Sequence, residues 1–147
     1  MAYRQQRDRD CDGVSGLSVV VLCAFEKEEI LTAHFYCWEP ALDIRPERWD
    51  FTQRLTDAQN QSGTSTILID FVAALLAKHP DLSTTDDTPW ATGPLEGEIC
   101  GNFINFAVSW SWYDDDLISF VVDTARSHGL HCFDPQRGKF YEAVSGR

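Results

Sequence analysis

Nowhere along the 147 residues is there an apolar run approaching the roughly 20 that a membrane-spanning helix needs, which excludes a helical membrane protein. Basic residues are scarce as well. Twelve Lys and Arg stand against 23 Asp and Glu, for a formal charge of −11. Such a balance argues against nucleic acid as the main ligand, because neutralising phosphates requires a basic surface. The five cysteines (Cys11, Cys23, Cys37, Cys100 and Cys132) are odd in number, widely spaced and without a CxxC pair. Neither a disulfide scaffold nor a zinc knuckle is expected from them. The apolar stretch Leu17 to Phe25 runs straight into Glu26, Lys27, Glu28 and Glu29, not into the small residues and cleavage site of a secretory signal. The expectation is a cytoplasmic protein with reduced thiols and no internal repeat.

What the chain does have is the composition of one globular domain: 44% hydrophobic and 24% charged residues. At this length about 70% of the unfolded surface is hidden on folding, enough for a real core. Residues 1–16 mix Arg with Asp, lack any core-forming period and are expected to be a tail. Leu17 to Phe25 is β-branched and reads as a strand, and His34 to Trp38 as a second, with Phe35 and Cys37 on one face and Tyr36 and Trp38 on the other. Pro46 suits the first turn of a helix over 45–57 that carries Trp49 and Leu55. Ile67, Leu68, Phe71, Val72, Leu75 and Leu76 recur at helical spacing between a Ser65 or Thr66 cap and a Pro80 stop. Residues 81–98, rich in Thr, Asp, Pro and Gly, form one long loop of the kind that often binds or closes over a ligand.

Asn102 to Trp112 is the strongest strand, with Ile104, Phe106, Val108, Trp110 and Trp112 as its core face. A helix follows from Asp114, with Leu117, Ile118, Val121, Val122 and Ala125 as its stripe and Gly129 past its end. Short strands over 130–133 and 139–144, joined by the turn 134–138, close the chain. The expected fold is an α+β two-layer sandwich, a mostly antiparallel sheet with two to three helices packed on one face.

Candidate chemistry is sparse. Asp114, Asp115 and Asp116 suit a hard cation by composition, but adjacent residues diverge, and acids at a helix start ordinarily cap it. His128, His131 and Cys132 lie close in sequence, yet Gly129 breaks the helix between them and residues 131 and 132 face opposite sides of a strand; no metal or other cofactor is expected. Cys100 within GEICGN is the candidate nucleophile, with His128 or His131 as base and Asp134 as orienter, though no recognised signature surrounds it. Glu96 and Glu98 pair as a possible acid and base, against the ordinary reading of a solvated loop. Trp90, between Pro89 and Ala91 in a polar loop, either plugs the sheet edge or anchors a partner.

Five segments carry a resemblance: HFYCWEP (34–40), LLAKHPDL (75–82), TPWATGPLEGE (88–98), FAVSWSW (106–112) and ARSHGLHCFDPQ (125–136). In them the chain resembles a set of small, mostly actinobacterial proteins without an assigned activity, over residues 34–147. The resemblance implies a single domain over 34–147 preceded by an extension over 1–33. Proteins of this kind are similar to the immunity proteins of bacterial toxin systems, which are small, acidic, cytosolic and α+β.

Residues 34–147 carry 17 acidic and 8 basic residues, and a field of that sign speeds association with a cationic patch. The function expected is therefore a non-catalytic acidic module that binds a basic protein, with Trp90, Glu96, Glu98, Asp114, Asp115 and Asp116 as contacts. The alternative is a small-ligand protein or enzyme using the loop 81–101 and Cys100.

Overall fold

The computed structural model describes residues 32–144. The expected tail over 1–16 and strand over 17–25 lie outside the described residues. Alternation organises the rest. Strand β1 (Thr32–Trp38) sends Ala33, Phe35 and Cys37 to one face and Tyr36 and Trp38 to the other. Helices α1 (Phe51–Gln59) and α2 (Thr66–Lys78) follow. Then come the two-residue strand β2 (Ile99–Cys100), β3 (Phe103–Ser109) and helix α3 (Asp115–Ser127). Strands β4 (His131–Asp134) and β5 (Lys139–Tyr141) end the fold. The strands form one antiparallel sheet in the order β2-β3-β1-β4-β5. The α+β sandwich stands.

Two of the helices cover one face, as expected. Leu68, Phe71, Val72 and Leu75 of α2 and the expected five-residue stripe of α3 pack on Phe35, Ile104, Phe106, Val108 and Cys132. The third helix is on the other side, where Phe51, Leu55 and Ala58 of α1 meet Tyr36, Trp38, Phe103 and Phe133. This double cover explains why nearly every β1 side chain is apolar. It also gives Phe103 a core of its own.

The helix ends follow their sequence signals. The Ser65 side chain accepts from the N–H groups of Ile67 and Leu68 at the start of α2. Asp114 Oδ1 accepts from Leu117 N–H at 2.9 Å at the start of α3. Gly129, at φ +78°, closes α3, with Leu130 N–H reaching Ala125 O and Gly129 N–H reaching Arg126 O. That is the paired bonding of a Schellman cap.

Three expectations change. The helix expected over 45–57 begins only at Phe51, because Pro46 enters a turn in which Arg48 N–H bonds to Arg45 O. Trp49 is 93% exposed. At 100° per residue it sits 200° from Phe51, so it cannot share the stripe of Phe51, Leu55 and Ala58. Strand β3 stops at Ser109 and the chain turns through Trp110–Trp112, which leaves Trp110 half-exposed and not in the core face. The closing strand covers 139–141, not 139–144.

The long loop is not open either. Pro89 O and Ala91 N–H bond to Ser109 N–H and Ala107 O, covering the edge of β3 beyond β2. Asp81 draws the two ends together: its Oδ1 accepts from Ser83 N–H and its Oδ2 from Leu95 N–H. A Cβ at Gly93 would lie 2.7 Å from Asp81 Oδ1 and 3.0 Å from Leu82 Cβ, so any larger residue there must displace the carboxylate that joins the loop's ends.

Candidate functional site

The six residues expected at a contact surface do not meet. Trp90 is fully buried, its indole N–H donating to His79 O at 2.8 Å and its ring edge-on to Phe106. It plugs the sheet edge and is no surface anchor. An apolar ring surrounded by polar loop residues goes inward whenever the neighbouring strand leaves an edge to cover. Glu96 and Glu98 lie on the turn Leu95–Glu98, which runs along the edge of β3 between the Ile99–Ile104 pair and the Trp90–Val108 bridge. Asp114, Asp115 and Asp116 lie beyond the Ser109 end, where Asp114 caps α3 and Asp115 pairs with Arg137 at 2.6 Å. The glutamates thus lie along the edge of β3 and the aspartates beyond its end.

Cys100 and His131 are also kept apart. Cys100 pairs with Phe103, Phe103 with Trp38, and Trp38 with His131. Three strand spacings of about 4.8 Å, filled by two aromatic side chains, place them on the order of 14 Å apart. Asp134 is at the far end of β4, buried, where it accepts from the Tyr113 hydroxyl at 2.6 Å and from the Gln136 backbone and side-chain N–H groups. Burial first, then this bond, raises the Tyr113 hydroxyl well above its ordinary value. The Cys100 thiol donates to Glu98 O at 3.7 Å and His128 Nδ1 bonds to Thr124 O, so neither histidine is hydrogen-bonded to Cys100 and no nucleophile–base–orienter arrangement is formed. Burial also pushes up the Cys37 thiol, which faces Cys132 across the β1–β4 ladder.

What the structure does bring together is a pair of clefts on either side of the segment Pro40–Arg45. The first, about 480 Å³, is bordered by Leu42, Ile44, Trp49 and the outer side of α1. The second, about 690 Å³, lies between Ile44, Arg45, Ile67, His128, His131 and Val144. Four large apolar side chains are exposed among the described residues, and Trp49, Ile67 and Val144 are three of them. All three line these clefts, so most of the exposed large apolar side chains are gathered there, the fourth, Trp110, lying past the Ser109 end of β3. Ile67 was expected in the packed stripe of α2, but the first turn of the helix carries it to the cleft mouth.

The polar groups at the second cleft are held in place. His131 Nδ1 accepts from Ala143 N–H at 2.9 Å, which puts the ring proton on Nε2. Burial, followed by the nearby Arg45 charge, lowers its proton affinity. His128 Nδ1 bonds to Thr124 O at 2.8 Å. Arg45 is ion-paired with Glu142, and that hydrogen bond holds the Glu142 carboxyl below its ordinary value. Among the described residues, no three His, Cys, Asp or Glu side chains are grouped to hold a metal ion.

Charge is unevenly spread. Arg45, Arg48, Arg54 and Arg137 are each in an ion pair, and Lys78 sits over the Phe120 ring at 4.6 Å. Residues 61–130, which include α2, the long loop and α3, hold ten acidic residues against Lys78 and Arg126. Of those ten, only Asp115 is in an ion pair with another described residue.

The expected contact residues contain none of the three cleft side chains. A helical wheel on Phe51, Leu55 and Ala58 would have found Trp49, but nothing in the pattern marked Ile67 or Val144. Set against known proteins, the chain matches no family model, no curated protein and no solved structure.

Proposed function

We propose that this protein is a non-catalytic, acidic binding module that captures a protein with a basic surface, in the manner of an immunity protein or inhibitor neutralising a toxin. The observation that carries the reading is the charge balance. The described arginines at 45, 48, 54 and 137 are consumed in ion pairs, whereas nine of the ten acids in residues 61–130 have no such partner among the described residues. The outward field is negative, and a negative field steers cationic surfaces. The contact zone is the pair of clefts, where Trp49, Ile67 and Val144 supply apolar anchors. Glu96, Glu98, Asp114, Asp115 and Asp116 line neither cleft and add to the negative field. The resemblance of the segments at 34–136 to small, acidic, immunity-protein-like chains agrees with this role, as do the free thiols of Cys37, Cys100 and Cys132 with a cytoplasmic setting. The alternative, ligand chemistry by the loop 81–101 with Cys100, has less support, because the loop is tied to β3 and the Cys100 thiol is hydrogen-bonded to Glu98 O and to no histidine.

The test is capture of partners by the full chain and by an Asp86→Lys, Asp87→Lys, Glu96→Lys variant, from the native host at low salt. One stoichiometric basic protein held by the parent and lost by the variant supports the reading. Capture that is indifferent to charge reversal, or no capture at all, contradicts it.

A further inference from the structure

Trp49 is set beside carboxylates in a way that fits one kind of side chain. Its ring is 93% exposed at the rim of the first cleft, although an indole gains far more than most side chains from burial. The floor beside it is the outer side of α1, where Asp50, Gln53, Arg54 and Asp57 recur at three- and four-residue spacing. The one cation there is already neutralised: Arg54 Nε donates to Asp50 Oδ2 at 2.8 Å. Asp50 is closed to a ligand, because its Oδ1 is buried, without a hydrogen bond, and lies 3.7 Å from Arg48 Nε. Asp57 Oδ1 accepts from Gln53 Nε2 at 2.9 Å, and the carboxylate is exposed. The cleft therefore offers an exposed indole and, at Asp57, an exposed carboxylate with no ion-pair partner among the described residues.

We infer that the Trp49 cleft is a receptor for an arginine side chain of the captured protein, its guanidinium stacked on the indole and its N–H groups directed to the exposed Asp57 carboxylate. The inference rests on the proposed capture of a basic protein and names the surface that does it. Guanidinium fits this set better than ammonium does. It is planar, stacks on an indole face and presents several donors in a fixed fork. A neutral sugar also stacks on tryptophan, but would leave the excess negative charge unanswered.

The experiment follows the five indole N–H resonances of the ¹⁵N-labelled full chain, with Trp49 assigned by Trp49→Phe, while a capped hexa-arginine peptide is titrated. The expected result is a saturable shift at Trp49, and an affinity about fivefold weaker for Trp49→Ala, the size of an exposed cation–π contact. Asp57→Asn is expected to weaken it comparably, and hexalysine to bind less tightly than hexa-arginine. Peptide binding that leaves Trp49 unmoved, or that is unchanged in Trp49→Ala, overturns the inference while the capture of a basic partner, tested by charge reversal, still stands. A Trp49 response to a neutral oligosaccharide and not to the peptide also overturns it, in favour of a sugar site.

Discussion

The side-chain amide of Gln136 stands in for a strand beside His34. His34 N–H donates to Gln136 Oε1, and Gln136 Nε2 donates to His34 O, both at 2.8 Å. The ladder between β1 and β4 pairs Tyr36 with Phe133, so Pro135 falls opposite His34 and has no N–H to offer. Gln136 takes over, and its amide is itself oriented by the buried Asp134 carboxylate at 2.7 Å. Gln136→Ala strands two backbone groups and is expected to cost about 1–3 kcal/mol in urea unfolding. A loss below a few tenths would mean that water replaces the amide.

The two tryptophans outside regular structure should behave oppositely. Trp90→Ala removes a buried ring and its bond to His79 O, for an expected loss of about 3–5 kcal/mol. Trp49→Ala should change stability by less than about 0.5 kcal/mol. Chemical denaturation of both variants decides the matter, and equal losses would contradict the assigned burial.

Stability should fall as pH drops below the ordinary imidazole value of 6.5. Burial lowers the proton affinity of His34, His79 and His131, with the Lys78 charge adding to the effect at His79. A group whose folded value is depressed binds its proton more readily in the unfolded chain, so acid favours unfolding in that window. The carboxylates of Asp50 and Glu142, which their arginines hold below their ordinary values, contribute only at lower pH. Melting temperatures between about pH 7.5 and 5.5 should therefore decline. His131→Gln should flatten the decline.

Thiol labelling should separate the described cysteines. Cys100 is half-buried on the edge strand, whereas Cys37 and Cys132 are buried in the core. A thiol reagent followed by peptide mapping is expected to modify Cys100 in the native protein and the other two only on unfolding. Fast labelling of Cys37 would contradict the packing of β1 against β4.

Much of the architecture was legible because local signals agreed with one another. The stripe of α3, its Asp114 cap and its Gly129 stop all pointed to the same helix. The face of α1 was harder to read, since a helix of nine residues with three buried positions leaves a weak period. Its packing on the opposite side of the sheet is a long-range choice that no local pattern records. The site was less legible still. Whether a lone tryptophan is a plug or an anchor depends on which sheet edge is open, and the answer for Trp90 and Trp49 came only from the register of β3 and the start of α1.

The central claim, electrostatic capture of a basic protein, is tested most directly by the association rate of the captured partner as ionic strength is raised. Electrostatic capture predicts a rate that falls about tenfold or more from low to high salt, with a shallower fall for the Asp86→Lys, Asp87→Lys, Glu96→Lys variant. A rate independent of salt, and equal in the variant, would contradict it.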